Sequence, residues 1–182
     1  MFWLISGPSS VGKTTFIRSS RCLALTGLSP QTPIIKPVNA PGPDGRLQSV
    51  KDCFVHYNIL RPVSLFAKRE AEKTSAIEEY RARSVRFGDD AWWLGFVQVA
   101  AEKKALVLIA NRAGILERAH NRARYKFDYW EALYQKLRLS DIYRAWAAEL
   151  KRAGIPYTFV DATNPGYTEL DQDSAFAIVD AD

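Results

Sequence analysis

The sequence predicts an α/β fold, a three-layer sandwich in which helices cover both faces of a mostly parallel sheet of about five strands. Short apolar segments of strand length alternate along the chain with longer segments whose apolar residues recur at helical spacing. The strand-like segments are apolar at nearly every position, which is typical of parallel strands buried on both faces. A chain of 182 residues, 47% of them apolar, suits a single domain over residues 1–182.

The first strand is predicted at Phe2–Ser6, and it ends at the stretch GPSSVGKTT. This stretch matches the pattern G-x-x-x-x-G-K-[ST], and the helical spacing of TTFIRSSRCLAL supplies the helix that the pattern requires after it. Glycines let backbone N–H groups turn inward around an anion, while the lysine contacts the terminal phosphates and the threonine hydroxyl coordinates Mg²⁺. The segment therefore predicts a bound triphosphate. The candidate nucleotide-binding residues are Gly7, Pro8, Ser9, Ser10, Val11, Gly12, Lys13, Thr14 and Thr15.

The later elements continue the alternation. Five prolines and three glycines in residues 27–46 exclude a long helix and favour a loop around a short strand at 33–38. A buried strand is predicted from Cys53 to about Asn58, followed by charged amphipathic helices at 65–83. A helix capped by Asp89 or Asp90 then runs to residue 104, strands follow at 105–110 and 156–161, and two more helices lie between these strands. Apolar residues at spacings of three and four define those two helices: Phe127, Trp130, Leu133, Tyr134 and Leu137, then Ile142, Tyr143, Trp146 and Leu150.

The composition narrows the class of protein. A net charge of +5 and a pI near 9.2 suit nucleic acid, an anionic membrane or small phosphorylated ligands about equally. The two cysteines, Cys22 and Cys53, are too few for a disulfide framework, and the chain opens on an apolar strand pattern instead of a basic leader. No apolar run approaches the roughly 18–20 residues that a bilayer requires. We expect a cytoplasmic protein with no membrane partner, and its oligomeric state is left open.

At GPSSVGKTT the chain resembles the P-loop NTPases, and within them the nucleotide and small-molecule kinases. A second likeness follows the apolar strand ALVLIAN, where Arg118 and Arg122 stand at i and i+4 in a basic segment. This segment is similar to the lid of nucleoside-monophosphate kinases, and the resemblance places a lid at about residues 112–127. A solvated basic helix face or a nucleic-acid patch is the alternative.

The resemblance also implies roles for individual residues. Lys13, Arg118 and Arg122 would stabilise the charge on the transferring phosphoryl group, while the closed lid excludes water. The last strand, PYTFVDATN, looks like the kinase strand whose following loop lies against the adenine ring. The nucleotide contacts implied there are Asp161, Ala162, Thr163 and Asn164, with Arg118 beside them.

The middle strand departs from the family pattern. A Walker B strand normally ends in an acid that holds Mg²⁺ through water, yet FVHYN offers only His56 and Asn58. Asn58 could act as a neutral ligand to coordinated water, or a loop acid could reach the site. His56 is either a buried core histidine or a substrate contact. The candidate loop acids are Asp44, Asp89 and Asp90.

Acceptor-binding residues are predicted at the open phosphate end of the site. Asp44 and Arg46 lie in the proline-rich loop, and Arg61 follows the middle strand. Asp44 is the candidate base for the acceptor hydroxyl proton, the alternative being a turn-forming aspartate. Arg46, His56, Asn58 and Arg61 are the candidate substrate contacts. Trp92, Trp93 and Phe96 could wall an acceptor ring, but their helical spacing favours core packing.

The function predicted from these features is an ATP-dependent kinase that uses Mg²⁺ and transfers the γ-phosphoryl group to a small hydroxyl- or phosphate-bearing acceptor. A polynucleotide-end kinase is one alternative, favoured by the basic excess. A regulatory nucleotide-binding switch that acts through a protein partner is another, although the chain has no N-K-x-D motif for guanine recognition.

Overall fold

A computed structural model describes residues 1–37, 45–62, 86–121 and 138–181. The strands of its sheet are β1 (Phe2–Gly7), β2 (Ile34–Ile35), β3 (Cys53–Asn58), β4 (Lys103–Ile109), β5 (Tyr157–Asp161) and β6 (Glu169–Leu170). They form a six-stranded sheet in the order β2-β3-β1-β4-β5-β6. The first five strands in this order, β2, β3, β1, β4 and β5, pair in parallel, and β6 pairs antiparallel with β5. The predicted parallel α/β sheet is confirmed, and β6 is an additional strand, too short to show a strand period.

The described helices are α1 (Lys13–Ile17), α2 (Ser20–Thr26), α3 (Ala91–Gln98), α4 (Arg112–Asn121), α5 (Leu139–Arg152) and α6 (Gln172–Asp180), with a 3₁₀ turn at Phe87–Asp89. The single helix predicted after the phosphate loop is two helices. Ser19 interrupts it with an extended backbone, φ −79° and ψ 150°, and its Oγ accepts a hydrogen bond from the backbone N–H of Cys22 at 3.1 Å. A serine in this conformation caps a new helix instead of continuing the old one.

Side chains of β3 alternate between the two faces of the sheet, as the strand period requires. Tyr57 points to one face, where its ring stacks on Trp146 of α5 with centroids 5.0 Å apart and lies 5.8 Å from Trp93 of α3. His56 points to the opposite face, towards Thr14 of α1. Helices therefore cover both faces, which is the three-layer arrangement expected from the sequence.

The start of α3 and the end of α5 lie where their capping residues predicted them. Asp90 is the N-cap of α3, and its Oδ1 accepts a hydrogen bond from the N–H of Trp92 at 3.1 Å. Helix α5 ends at Arg152, and Gly154 follows it in the left-handed region, with φ 67°. The apolar stripe of α5 is buried, including Ile142, Tyr143, Trp146 and Leu150.

Several predictions fall outside the described residues. The helices expected at 65–83 and 127–137 lie there, and the single domain over residues 1–182 stays a prediction. Cys22 and Cys53 are both free and buried, and burial raises the pKa of each thiol to about 12. In the four described ranges, no helix has both the length and the apolar character needed to cross a membrane.

Candidate active site

The phosphate loop, residues 8–12, joins the carboxyl end of β1 to the start of α1. Because β1 lies between β3 and β4, the order of the strands reverses at this point of the sheet. Open parallel sheets bind ligands in the crevice that such a reversal leaves at the carboxyl ends of the strands. The backbone has positive φ at Gly7 (148°), Ser10 (62°) and Gly12 (103°). Loops built this way direct backbone N–H groups into a concave, anion-binding surface.

Gly7 is a position in this loop that excludes a side chain. A Cβ atom built on Gly7 would lie 2.9 Å from the carbonyl oxygen of Leu108 and 2.9 Å from Cγ1 of Val11. We expect Gly7→Ala to lower the free energy of unfolding by about 1–3 kcal/mol, because the backbone is held where L-residues are strained. ATP binding should weaken with it. Thermal unfolding and equilibrium binding of ATP measure the two effects.

Gly88 supplies the matched control, since a Cβ atom built there meets no atom within 4 Å. Gly88→Ala should leave both the melting temperature and the binding of ATP close to those of the unaltered protein. Equal melting temperatures for the two alanine variants would contradict the steric argument for Gly7.

Lys13 opens α1 and is only 4% exposed. Its Nζ donates hydrogen bonds to the carbonyl oxygens of Gly7 at 2.8 Å and Pro8 at 2.6 Å. These carbonyls belong to the entrance of the phosphate loop, so the ammonium group is folded back over the loop. A buried ammonium group is held in place by such bonds, and here it places a positive charge beside the anion-binding surface.

Thr14 and His56 approach each other across the crevice. The Oγ1 of Thr14 lies 3.4 Å from Nε2 of His56, which is long for a hydrogen bond. Burial, together with the charges of Lys13 and Lys36, lowers the pKa of His56 to about 3, and a hydrogen bond with the backbone of His56 itself opposes this shift. The imidazole is therefore neutral at physiological pH, and one of its nitrogens carries a free lone pair.

Asn58 ends β3 beside the phosphate loop. Its Nδ2 donates a hydrogen bond to Oγ of Ser9 at 3.2 Å, and its Oδ1 accepts one from the backbone N–H of Leu60 at 3.0 Å. In the sheet Asn58 pairs with Gly7 of β1. Both ends of the amide are engaged, so Asn58 fixes the phosphate loop against the end of β3.

Asp90 and Arg61 form a buried ion pair at the end of β3. The Oδ2 of Asp90 lies 2.9 Å from Nε of Arg61 and accepts a hydrogen bond from the hydroxyl of Tyr57 at 2.8 Å. Asp90 is fully buried and also caps α3. Both oxygens of its carboxylate are therefore bonded within the protein, and they do not reach Thr14 as metal ligands. Asp89, the other loop acid in this range, is exposed at the end of the 3₁₀ turn.

Arg118 joins the phosphate loop to the loop after β5. From α4, its Nη1 donates to the carbonyl oxygen of Val11 at 3.0 Å, and its Nη2 donates to those of Ala162 at 2.5 Å and Thr163 at 3.0 Å. A guanidinium group presents several donors in a rigid plane, which suits this bridging role. The contact brings together three of the segments that the sequence assigned to the nucleotide.

The loop after β5 is ordered by Asp161, whose Oδ1 accepts a hydrogen bond from the N–H of Thr163 at 2.7 Å. The hydroxyl oxygen of Thr163 is buried and has no hydrogen-bond partner among the described residues. Ala162 is buried, and Asn164 is exposed. These residues lie beside Arg118, where the sequence resemblance expects the adenine ring.

The remaining candidate residues lie away from the phosphate loop, in the core, or outside the described residues. Arg46 is exposed, and its neighbour Leu47 lines a groove with Phe2 and Glu102 at the amino-terminal edge of the sheet, opposite the phosphate loop. This location gives no support to a substrate contact by Arg46. Asp44 and Arg122 lie outside the described residues, and their roles stay predictions. Trp92, Trp93 and Phe96 are at most 1% exposed, so they pack in the core, as their spacing predicted.

Two residues near the site were missed by the sequence analysis. Lys36 follows β2 at the carboxyl edge of the sheet, and its charge acts on His56. A cation within the short strand predicted at 33–38 was the available signal. Tyr167 packs edge-on against Phe16 with ring centroids 4.8 Å apart. Burial raises the pKa of Tyr167, and the nearby charge of Arg118 opposes this shift; no local sequence pattern marks this tyrosine.

Comparison with known proteins finds no matching family model and no matching curated protein. Among solved structures, deoxyadenosine kinase from M. mycoides with dCMP and dCDP is 16% identical with a TM-score of 0.47, covering 100% of this chain and 97% of that one. The same kinase with dATP is 15% identical with a TM-score of 0.44, covering 100% and 98%. The YorR protein of Bacillus subtilis, in complex with phosphorylated GDP, is 13% identical with a TM-score of 0.44, covering 89% and 86%.

All three TM-scores are 0.47 or lower and all three identities are 16% or lower, so these similarities carry no argument, and the assignment of fold rests on the chain itself. Its phosphate loop lies between β1 and α1, at the point where the order of the parallel strands reverses. Lys13 is buried against this loop, and Arg118 connects it to the loop after β5. With this sheet, loop and helix arrangement, the chain has a fold of the P-loop kinase type.

Proposed function

We propose that the protein is an ATP-dependent phosphotransferase that moves the γ-phosphoryl group to a small hydroxyl- or phosphate-bearing acceptor. The observation that carries the proposal is the bridge from Arg118 to Val11 and Ala162. Arg118 lies within the segment predicted as a lid. Its hydrogen bond to the phosphate loop therefore supports a lid that is held against this loop at Arg118. Arg122 follows four residues later in the sequence. A basic lid is suited to phosphoryl transfer, where charge builds up and water must be excluded.

The proposed nucleotide site consists of the phosphate loop and the loop after β5, the two segments that Arg118 connects. Backbone N–H groups of residues 7–15, apart from Pro8, hold the phosphates, and Lys13, Arg118 and Arg122 stabilise negative charge on the transferring group. The adenine ring lies against residues 161–164. The buried, unpartnered hydroxyl of Thr163 supports this placement, because a buried polar group that lacks a partner in the protein is often satisfied by a ligand.

The proposed acceptor lies on the β3 side of the phosphate loop. Its oxygen attacks the γ-phosphorus, the bond to the oxygen that bridges the β- and γ-phosphorus atoms breaks, and ADP leaves with the electron pair. Asp44 is the proposed base for the acceptor proton. The proposed substrate contacts are His56, Asn58 and Arg61, and Lys36 adds a positive charge at the same edge as His56. The ion pair with Asp90 holds the guanidinium of Arg61 near the end of β3.

A divalent metal ion, Mg²⁺ on the sequence-based expectation, would be held by the hydroxyl of Thr14 together with the phosphates. When bound, such an ion neutralises charge on the β- and γ-phosphate oxygens. The side chain that faces Thr14 offers an imidazole nitrogen. This donor does not fit the preference of Mg²⁺ for oxygen ligands.

Incubation with γ-labelled ATP and a divalent metal ion tests the proposal directly. The acceptor panel contains nucleosides, nucleotides, sugars, antibiotics and oligonucleotide ends. We expect label on one class of small acceptor and ADP in equal amount. A variant of Lys13 that lacks the ammonium group serves as the control for contaminating kinases, because its transfer of label should fall by about 10²–10³-fold.

The outcomes separate the alternatives. Label released only as free phosphate, with no acceptor accelerating it, would sink the phosphotransferase proposal and favour a regulatory switch. Label on oligonucleotide ends, with affinity that falls steeply as salt is added, would replace the small acceptor by a nucleic acid, since added salt opposes the release of counterions that drives such binding.

A further inference from the structure

The side chain next to the predicted metal-binding hydroxyl is a histidine. In the sheet His56 pairs with Ile5 of β1, two residues before the strand reaches the phosphate loop. Its Nε2 lies 3.4 Å from Oγ1 of Thr14. Asn58, the next residue on the same face of β3, is turned to Ser9 and Leu60 instead. The group beside Thr14 is therefore an imidazole nitrogen.

The described surroundings of Thr14 and His56 carry no clustered carboxylates. Across residues 1–37, 45–62, 86–121 and 138–181, no three histidine, cysteine or acidic side chains come together as a metal site. The charged groups that act on His56 are Lys13 of α1 and Lys36 after β2, and both are cations. Asp90, the buried acid at the end of β3, is committed to Arg61 and Tyr57. Mg²⁺ is held in proteins mainly by carboxylates and water, so this donor set departs from what Mg²⁺ prefers.

The distance between the two side-chain atoms suits a shared ion. Nitrogen and oxygen ligands lie about 2.0–2.2 Å from a first-row divalent ion. Two such ligands at neighbouring positions on one ion, about 90–100° apart, are separated by roughly 3.0–3.4 Å. The distance from Oγ1 of Thr14 to Nε2 of His56 is 3.4 Å, which is within this range. At this distance any hydrogen bond between the two atoms is weak, so an entering ion would not have to break a strong one.

We propose that Nε2 of His56 and Oγ1 of Thr14 bind the divalent ion of the metal–nucleotide complex together, so that the site prefers ions that accept nitrogen, such as Co²⁺ or Ni²⁺, over Mg²⁺. The inference rests on the proposed binding of ATP, because the phosphates supply the other ligands. Imidazole suits the later first-row ions, and carboxylate and water suit Mg²⁺. A histidine at this position therefore sets the metal preference of the site.

Pulsed EPR of Mn²⁺ bound with a non-hydrolysable ATP analogue reads the ligand directly. A coordinated imidazole adds a ¹⁴N modulation to the Mn²⁺ signal, which oxygen ligands do not. The chain has two histidines, His56 and His120, so a matched control exists. We expect the modulation in the unaltered protein and in His120→Gln, and its loss in His56→Asp. A spectrum of the unaltered protein without ¹⁴N modulation, or one that keeps it in His56→Asp, would overturn the inference.

Binding of the same analogue by calorimetry, with each metal in turn, gives a second readout. The unaltered protein should bind it about 10-fold more tightly with Co²⁺ than with Mg²⁺, and His56→Asp should remove most of this difference. His56→Asn, which preserves size and polarity, replaces the aspartate variant if circular dichroism shows that the latter is unfolded. Equal affinities with Mg²⁺ and Co²⁺ would defeat the metal preference while leaving the proposed function standing. Failure to bind the analogue with any ion would defeat both.

Discussion

Replacing Lys13 with methionine is expected to lower phosphoryl transfer by about 10²–10³-fold, the usual cost of removing one preorganised charge donor from a reacting centre. The ammonium group is buried and bonded to the carbonyl oxygens of Gly7 and Pro8. Methionine has a similar length and no charge, so it fills the same space without stabilising the phosphates. Turnover of γ-labelled ATP with the identified acceptor measures the effect.

Lys151 provides the matched control for this substitution. It lies at the exposed end of α5, away from the phosphate loop. Lys151→Met should retain the turnover of the unaltered protein. Transfer that persists at its full rate in Lys13→Met would show that the loop lysine is not part of the reacting centre, even if the loop still binds ATP.

Arg118→Ala is expected to raise the KM for ATP as well as lower turnover, because the side chain holds the carbonyls of Val11, Ala162 and Thr163. Each carbonyl left unpaired in a partly buried setting costs about 1–3 kcal/mol, so the melting temperature should also fall. Arg118→Lys should rescue little, since one ammonium group does not reproduce the planar donors of the guanidinium. Steady-state kinetics with varied ATP, together with thermal unfolding, measure these effects.

Arg122→Ala is the informative companion variant. If Arg122 acts on the transition state as lid arginines do, its loss lowers turnover by about 10³-fold and leaves the KM for ATP nearly unchanged. Arg152→Ala, at an exposed ion pair on α5, should alter neither quantity. An unchanged KM for ATP and melting temperature in Arg118→Ala would show that Arg118 does not hold the two loops together.

Local sequence signals were sufficient for most of the fold. The five parallel strands follow from apolar runs, the phosphate loop from its glycines and lysine, and the start of α3 from Asp90. The break between α1 and α2 was missed because the apolar spacing continues through Ser19, and only the bond from Cys22 to its hydroxyl reveals a cap. Strand β6 has two residues, and its pairing with β5 depends on tertiary context.

The arrangement of the site could be predicted only in part, since it depends on contacts between distant residues. Arg118 was singled out by its spacing from Arg122, but its bonds reach residues 107 and 44 positions away along the chain. The approach of His56 to Thr14 spans 42 positions. The sequence showed that an acid was lacking at the end of β3, and the structure shows which side chain faces Thr14. A sequence pattern within one segment does not reveal contacts between residues so far apart along the chain.

The central position of β1 has a consequence for how the protein is made. One neighbour of β1 is β3, and the other is β4, which begins at Lys103. Ser6, at the end of β1, also accepts a hydrogen bond from Trp146, 140 residues later. Contacts between such distant residues form slowly, and a chain that emerges from the ribosome at about 5–20 residues per second exposes β1 for several seconds before β4 exists. The strand that leads into the phosphate loop is therefore synthesised well before one of its two neighbours in the sheet, and its enclosure waits for β4.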